Sequence, residues 1–486
     1  MAILDSEAWH GRVYAGEWIA PAGGERRVCE VATGAELGRI GLAGPEDVAS
    51  SAATAAAAQP AWAATPYFER AAVLRRAAQL WAQHAAEVRD WIVRESGSVA
   101  AKADFELNYA TQECYEAAAL TSRATGEIIP SDQPRLSMAR RVPVGVVGVI
   151  SPFNAPLILS IRSVAPALAL GNAVVLKPDP RTAVCGGVTL ARVFEEAGLP
   201  PGLLHVLPGD AEIGQALIAD PNVRVISFTG SSKAGRAVGE LAGKHLKRAH
   251  LELGGNSALV VLADADVDAA ASAGAWGTFF HQGQVCMASG RHLVHESLYD
   301  DYVQRLAAKA ERLPVGDPAT EDVVLGPLID ARQRDRVHEL VTTSVDAGAT
   351  LVAGGTYKEL FYYPTVLGGA CRSIPAYDNE VFGPVAPVSS FSSLDEAARL
   401  ASDSEYGLSL GILTTDVMHG LELADRIPTG IVHINDQTVS DETLAPFGGI
   451  LASGTGSRFG GAAANVEAFT DTRWVTVRSA IARYPM

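Results

Sequence analysis

The sequence predicts an α/β fold built on parallel sheet, and three observations carry that prediction. First, short, nearly all-apolar segments rich in β-branched residues recur from about residue 142: VGVVGVI (144–150), AVVLKP (173–178), LLHVLPG (203–209) and VRVISFTG (223–230). Second, each is followed by a helical pattern, in turn PLILSIRSVAPALAL, VTLARVFEEAG, AEIGQALIA and SKAGRAVGELAGKH. Strands that are apolar on both faces and separated by helices of roughly 10–15 residues belong to a parallel sheet covered on both sides. Third, the alternation restarts after ELGGN (252–256) and runs to about residue 440, so a second α/β unit follows the first.

In chain order, the opening MAILDSEAWHGRVYAGEW lacks a basic stretch followed by an apolar one, so no signal peptide is expected. Residues 45–125 are Ala-rich and helical in pattern: EDVASSAATAAAAQPAW, ERAAVLRRAAQLWAQHAAEVRDWIV and a stretch near 104–122. Packing and solvated helix faces account for them. The segment GEIIPSDQPRLSMARRVPVGV (126–146) is turn-rich and then alternating, an excursion between units. The second run holds NSALVVL, a long helix ending near Gln282, the strand RHLVHE and a helix from 297. The tail from Thr470, TDTRWVTVRSA, reads as a late strand that pairs either with another subunit or with its own chain. No internal repeat with a period of about 20–50 residues and no disordered linker stands out.

A chain of 486 residues is too long for one compact core, so two or three packed units are expected. The net charge of −16 argues against a nucleic-acid binder, which needs a basic face. The longest apolar run near the middle, 142–150, is broken by Pro143, Gly145 and Gly148 and is about half the length a bilayer requires. The five cysteines (Cys29, Cys114, Cys185, Cys286 and Cys371) are odd in number and far apart, which is neither a disulfide framework nor zinc spacing. A soluble, cytoplasmic, reduced protein with no metal is the expectation, and in it a thiol can stay free.

Several residues could carry chemistry. Cys286 lies in FFHQGQVCMASGR (279–291) and is either a packing residue or a nucleophile. ISFTGSSKAGRAVG (226–239) runs strand, turn, helix, with Gly230 and Ser231 where backbone can approach a phosphate at a helix N-terminus. It matches neither G-x-G-x-x-G nor a Walker A loop, so a plain βα turn stays open. Glu252 sits in the apolar pattern LELGGNS (251–257); it is a candidate general base with a raised pKa, or else a turn cap or an Arg partner. Asn154 of SPFN (151–154) follows a strand end, where its amide either points into a sheet-edge crevice or caps the next helix. DADVD (264–268) imitates a calcium loop, but Ala269 and Ala275 stand where that loop needs Gly and Glu, so helix capping is the better reading. His250, His281 and His338 fit no metal motif, and the basic stretch from Lys233 to Arg248 is a solvated face.

Taken together, these pieces resemble the aldehyde dehydrogenase superfamily over nearly the whole chain. The matching stretches are SPFN, GNAVVLKP (171–178), FTGS (228–231), LELGG, GQVCMASGR, EVFGPV (380–385) and APFGG (445–449), all in the family's order. The interval from Glu252 to Cys286 is also the family's. The resemblance implies that Cys286 is the nucleophile, that Asn154 and the Cys286 amide form the oxyanion hole, and that Glu252 activates the hydrolytic water. It further implies an NAD site, with NADP possible. Lys177 and Asp179 would lie near the adenosine ribose, with Gly230, Ser231 and Gly235 by the pyrophosphate. Glu380 and Phe382 would lie at the nicotinamide end, with Ser151, Phe153 and Leu253 completing the lining. One departure stands out: in KPDPRT (177–182) Pro180 replaces a Glu that disfavours a 2′-phosphate, with Asp179 and Arg181 beside it.

Within the superfamily, residues 151–187 and VHINDQTVSDE (432–442) resemble the branch that oxidises aromatic aldehydes such as benzaldehyde and vanillin. Ala155, Ile158, Arg162, Val285 and Phe447 are then the candidate substrate pocket, and Arg162 either bonds a ring hydroxyl or turns away into an ion pair. The alternatives are an aliphatic or semialdehyde dehydrogenase and a non-catalytic member. A CoA-acylating variant is disfavoured because Glu252 is present. The implied architecture is a doubly wound, Rossmann-like cofactor domain (1–121 and 142–253), a second α/β catalytic domain (254–452) and a small β oligomerisation flap (122–141 and 453–486). A homodimer or homotetramer is expected.

Overall fold

The computed structural model describes residues 2–123 and 125–485. Two seven-stranded sheets organise them. The first contains the parallel strands Val146–Ile150, Ala173–Lys177, Leu204–Val206, Val223–Thr229 and Arg248–Glu252. Across the sheet, Arg248–Glu252 and Val223–Thr229 lie on one side of Val146–Ile150, and Ala173–Lys177 and Leu204–Val206 on the other. The chain therefore reverses its winding between Val146–Ile150 and Val223–Thr229. Crevices beyond the strand C-termini at such a reversal are where doubly wound sheets bind ligands. Two short antiparallel strands, Val13–Tyr14 and Trp18–Ile19, extend the sheet beyond Leu204–Val206.

Helix Pro156–Ala169 passes through the middle of this half, and all of its residues are buried. Its sequence explains that position: PLILSIRSVAPALA is apolar around nearly the whole circumference, so every face must find cover. Ala-rich helices Tyr67–Gln83 and Ala100–Leu120 supply part of it, their small side chains allowing close approach. A Leu or Ile to Ala change here costs about 2–5 kcal/mol.

The second sheet runs in the order Thr350–Ala353, Thr365–Gly368, Val385–Phe391, Ser289–His295, Ser257–Val261, Ser409–Leu413 and Ile431–Ile434. All its pairings are parallel except the first. The helix expected to end near Gln282 ends at Phe279, because its apolar pattern continues into a separate short turn, Phe280–Gly283. The DADVD segment caps as expected: Asp266 accepts the amides of Asp268 and Ala269 at the start of helix Val267–Phe279.

The late strand, Thr470–Val477, pairs with Leu136–Pro143 of its own chain, which also pairs with Gly126–Ile128. Trp474 stays 65% exposed, its indole N–H bonded to Ser137 and its ring under Arg135. All five cysteines are unpaired. Among the described residues no helix is long and apolar enough to cross a membrane.

Candidate active site

The first sheet delivers its groups at strand ends. Ile150 pairs with Lys177 and Thr229 with Glu252, so those C-termini are level across the sheet. The chain leaving Val146–Ile150 carries Ser151, Phe153 and Asn154. Ser151 turns inward, its hydroxyl bonded to Ser160 at 2.7 Å, which leaves only its backbone for a ligand. Asn154 does not cap the following helix, because Ala155 holds the N-cap position and offers no side-chain bond. The Asn154 amide instead donates to the Gln284 carbonyl at 2.8 Å, and the residue lines the cleft.

Glu252 is 2% exposed, and neither carboxylate oxygen has a hydrogen-bond partner. Burial drives its pKa well above the usual carboxylate range, opposed by the charges of Arg162 and Arg458. It is therefore neither a turn cap nor half of an ion pair. Its backbone is tied to Gly454 and that of Leu253 to Ser453.

The second sheet delivers its groups through irregular backbone. His281 and Gln282 have φ of 49° and 56°, and Gly283 follows at 68°, a left-handed run that reverses the chain just before Cys286. A Cβ at residue 283 would come within 2.1 Å of the Gly383 carbonyl, so only glycine fits. The Gln282 amide nitrogen donates to the carbonyls of Gly97 and Pro327, both at 2.9 Å, and locks the turn. Cys286 emerges half-buried in a small apolar cluster with Val285, Met287, Leu408 and Phe447. Burial, then the nearby charges of Glu380 and Glu252, push its thiol up to about 12.

The sulfur faces a cleft of about 640 Å³, counted with its solvent-open part, that runs to the N-terminus of helix Ser232–Lys244. Gly230, Ser231 and Leu253 line one wall, Glu380 and Phe382 the other. Ser231 caps the helix by accepting the Ala234 amide, and the remaining first-turn N–H groups suit an anion. Glu380 accepts the Gly255 amide at 3.1 Å, and burial raises its pKa to about 7. Gly254 makes that approach possible, since a Cβ there would lie 2.3 Å from the carboxylate. Phe382 adopts φ 55° and meets Phe153 edge-on at 5.9 Å.

Besides Ser151, three of the expected cofactor residues, Lys177, Gly235 and Asp179, stand back from this cleft. Lys177 is buried against Gly214. Gly235 lies under Leu253, whose side chain fills the space a Cβ would take. Asp179 accepts from Arg181 through both oxygens, at 2.9 and 2.8 Å. Arg181 also donates to Asp330 at 2.7 Å and stacks over Phe153 at 4.3 Å, so it too is occupied.

On the far side of Cys286, Arg162 is 1% exposed and forms a close ion pair with Asp441. The same nitrogen donates to Tyr109 at 3.2 Å, and the guanidinium lies 4.5 Å above the Phe447 ring. Its Nε and Nη1 remain without partners. Val285 and Phe447 share the Cys286 cluster, whereas Ala155 and Ile158 pack into the first sheet's core. Leu159, Gln333 and Arg336 line the cleft without having been singled out from the sequence. Gln333 holds Phe382 by donating to its carbonyl at 2.8 Å. Lys102 and Glu106 were also missed; Lys102 donates to the Asn154 carbonyl at 2.7 Å. Their four-residue spacing on a helix was the available signal, though exposed pairs share it.

The fold and cleft define a two-sheet α/β enzyme with a half-buried cysteine on the cleft wall. The chain belongs to the aldehyde dehydrogenase family, whose model matches residues 18–475. It is 73% identical over 485 residues to a vanillin dehydrogenase of Amycolatopsis sp., covering 100% of both chains. It is 48% identical to a benzaldehyde dehydrogenase [NAD(+)] of Pseudomonas putida, covering 98% of each. Among solved structures it resembles a salicylaldehyde dehydrogenase from Pseudomonas putida G7 complexed with salicylaldehyde. That match has a TM-score of 0.94 and 34% identity over 98% of this chain and 99% of that one.

Proposed function

We propose that the protein oxidises an aromatic aldehyde of the benzaldehyde or vanillin type to its carboxylic acid, using NAD and accepting NADP. The observation that carries this reading is Cys286 in a cleft that Asn154 also lines, with unpartnered Glu252, itself outside that lining, near enough for its charge to act on the thiol. The Cys286 thiol, pushed up to about 12, gives its proton to water in the open cleft as the sulfur bonds to the aldehyde carbon. The thiohemiacetal oxyanion left by the broken C=O π bond is met by the free N–H of Asn154 and the amide of Cys286. Bound NAD supplies the hydride acceptor that turns the thiohemiacetal into a thioester. Glu252 then takes a proton from water, the hydroxide oxygen bonds to the acyl carbon, and the acid leaves as the C–S bond breaks.

The residues present suit that cofactor. A helix N-terminus beside Gly230 and Ser231 suits a pyrophosphate, and Glu380 offers acceptors for ribose hydroxyls. Both Asp179 oxygens are engaged by Arg181, which supports weak discrimination against a 2′-phosphate. For substrate, Phe447 and Val285 supply apolar surface beside Cys286, and Arg162 lies behind the Phe447 ring, paired with Asp441.

The same reading takes 1–121 with 142–253 as the cofactor domain, 254–452 as the catalytic domain, and 122–141 with 453–486 as the oligomerisation flap of a cytoplasmic homodimer or homotetramer. The test is kcat/KM for benzaldehyde, vanillin, succinic semialdehyde and an aliphatic aldehyde, each with both cofactors. The aromatic aldehydes should lead, with NAD ahead of NADP; succinic semialdehyde turning over faster than both aromatics overturns the substrate assignment.

A further inference from the structure

The least expected polar group near the cleft lies behind it. Helix Ala100–Leu120 packs across helix Pro156–Ala169 and carries Lys102 and Glu106, one turn apart and both buried at the contact. The two side chains form a close ion pair. Neither lines the cleft. Each has a second partner in one short segment: Lys102 donates to the main-chain carbonyl of Asn154 at 2.7 Å. The other oxygen of Glu106 accepts the amides of Leu157 at 3.0 Å and Ile158 at 3.4 Å. Those amides belong to the first turn of helix Pro156–Ala169, where no intrahelical acceptor exists.

Stability is a poor reason for this arrangement. A buried ion pair recovers little more than its desolvation cost, and apolar residues of similar volume often serve a core equally well. What an apolar pair cannot do is hold the segment 154–158 at three polar points. Asn154 is thereby gripped on both sides: its main chain by Lys102, and its side chain by the Gln284 carbonyl, two residues from Cys286.

We propose that the Lys102–Glu106 pair is a positioning device that sets the Asn154 amide against the sulfur of Cys286. The inference rests on the reading of Asn154 as an oxyanion donor. A donor aimed at developing charge works only when its placement is fixed beforehand, and a shift of about 1 Å far from the chemistry can cost on the order of 10²-fold.

A double-mutant cycle tests it, using the full-length protein with benzaldehyde and NAD. N154A should lower kcat by on the order of 10²–10³-fold. K102M should lower kcat by on the order of 10²-fold, with NADH affinity by fluorescence and the aldehyde KM unchanged. K102R, which keeps a donor, should recover most of the loss. Above all, K102M/N154A should be no slower than N154A alone, because a positioning residue has nothing left to position.

E106Q, read through the same cycle, replaces K102M if that variant does not fold. Multiplying losses, or a K102M enzyme with normal kcat, overturns the proposal. So does failure of both single variants to fold, which assigns the pair to stability. If N154A itself keeps full activity, the oxyanion reading fails first. A slow N154A beside a normal K102M sinks only the positioning role.

Discussion

The two walls of the cleft are positioned by different means. On the first sheet, Thr229–Gly230 and Glu252 sit at the ends of neighbouring parallel strands and ladder register brings them level, while Asn154 follows just past the end of Val146–Ile150 and is held there by Lys102 and the Gln284 carbonyl. On the second, Cys286, Glu380 and Phe382 lie outside regular structure, with left-handed backbone at His281, Gln282 and Phe382. Non-glycine residues in that region cost about 1–3 kcal/mol each and persist only where their surroundings over-determine them. Register gives the base a rigid frame, and side-chain bonds from helix Ala100–Leu120 tie the donor's segment beside it. Strained loops give the sulfur and its neighbours an orientation that no sheet provides.

The largest effects should come from one chemical group on each wall, and they should differ in kind. Cys286→Ala should abolish aldehyde oxidation while NAD binding persists; retained turnover would mean that the second wall does not carry the nucleophile. Glu252→Gln, on the first wall, should allow one rapid burst of NADH and then slow steady-state turnover by on the order of 10²–10³-fold. The wild-type steady-state rate should rise with pH, because Glu252 acts only when ionised and burial places its pKa well above 4.5. In the Gln variant that limb should vanish. Stability carries the opposite sign. A raised folded-state pKa contributes stability that is fully present below the unfolded value and lost as pH rises through the folded one. Glu252→Gln should therefore tolerate alkaline pH better than the wild type, as thermal melts across pH would reveal.

The same contrast explains what the sequence disclosed. Val146–Ile150 and Ala173–Lys177 were legible because a strand buried on both faces must be apolar throughout. Asn154 and Glu252 were legible because a polar residue at the end of such a run is conspicuous. The turn at 281–283 was not. GAWGTFFHQ continues an apolar pattern across the true helix end, and the left-handed φ values depend on Gly97, Pro327 and Gly383, which are remote in sequence. Arg162 showed its charge but not its partner, since Asp441 arrives from a loop 279 residues away. Lys102 and Glu106 carry in the sequence only the spacing of any i, i+4 pair, and their partners come from the segment at the start of helix Pro156–Ala169. The short strands at Val13–Tyr14 and Trp18–Ile19 hold too few residues to show any alternation.

A paired substitution sharpens the comparison at intermediate size. Gln282→Ala removes two buried hydrogen bonds that hold the strained turn, and should cost about 2–4 kcal/mol of stability. With the turn loosened, kcat should fall by roughly 10-fold or more as the sulfur loses its aim. Ser227→Ala removes the Ser163–Ser227 bond from the middle of the first sheet. It should cost about 1 kcal/mol and leave kcat unchanged, because the two backbone ladders of its strand still fix the register. If the two variants slow catalysis equally, the distinction between the walls is broken.

The smallest effect tests the premise that left-handed backbone is costly in this protein. Leu246 has φ 54° just past helix Ser232–Lys244 and is 96% exposed, so its strain serves no packing and faces no ligand. Leu246→Gly should relieve about 1 kcal/mol of that strain, and the greater freedom of glycine in the unfolded chain should take back part of it. A net gain of about 0.5 kcal/mol should raise Tm by roughly 1 °C with kcat and KM unchanged. His281 and Gln282 have nearly the same φ, but there the strain sits in the turn that delivers Cys286. A Leu246→Gly protein that melts lower would show that such residues carry little strain in this fold, and the second wall would then need only its hydrogen bonds to stay in place.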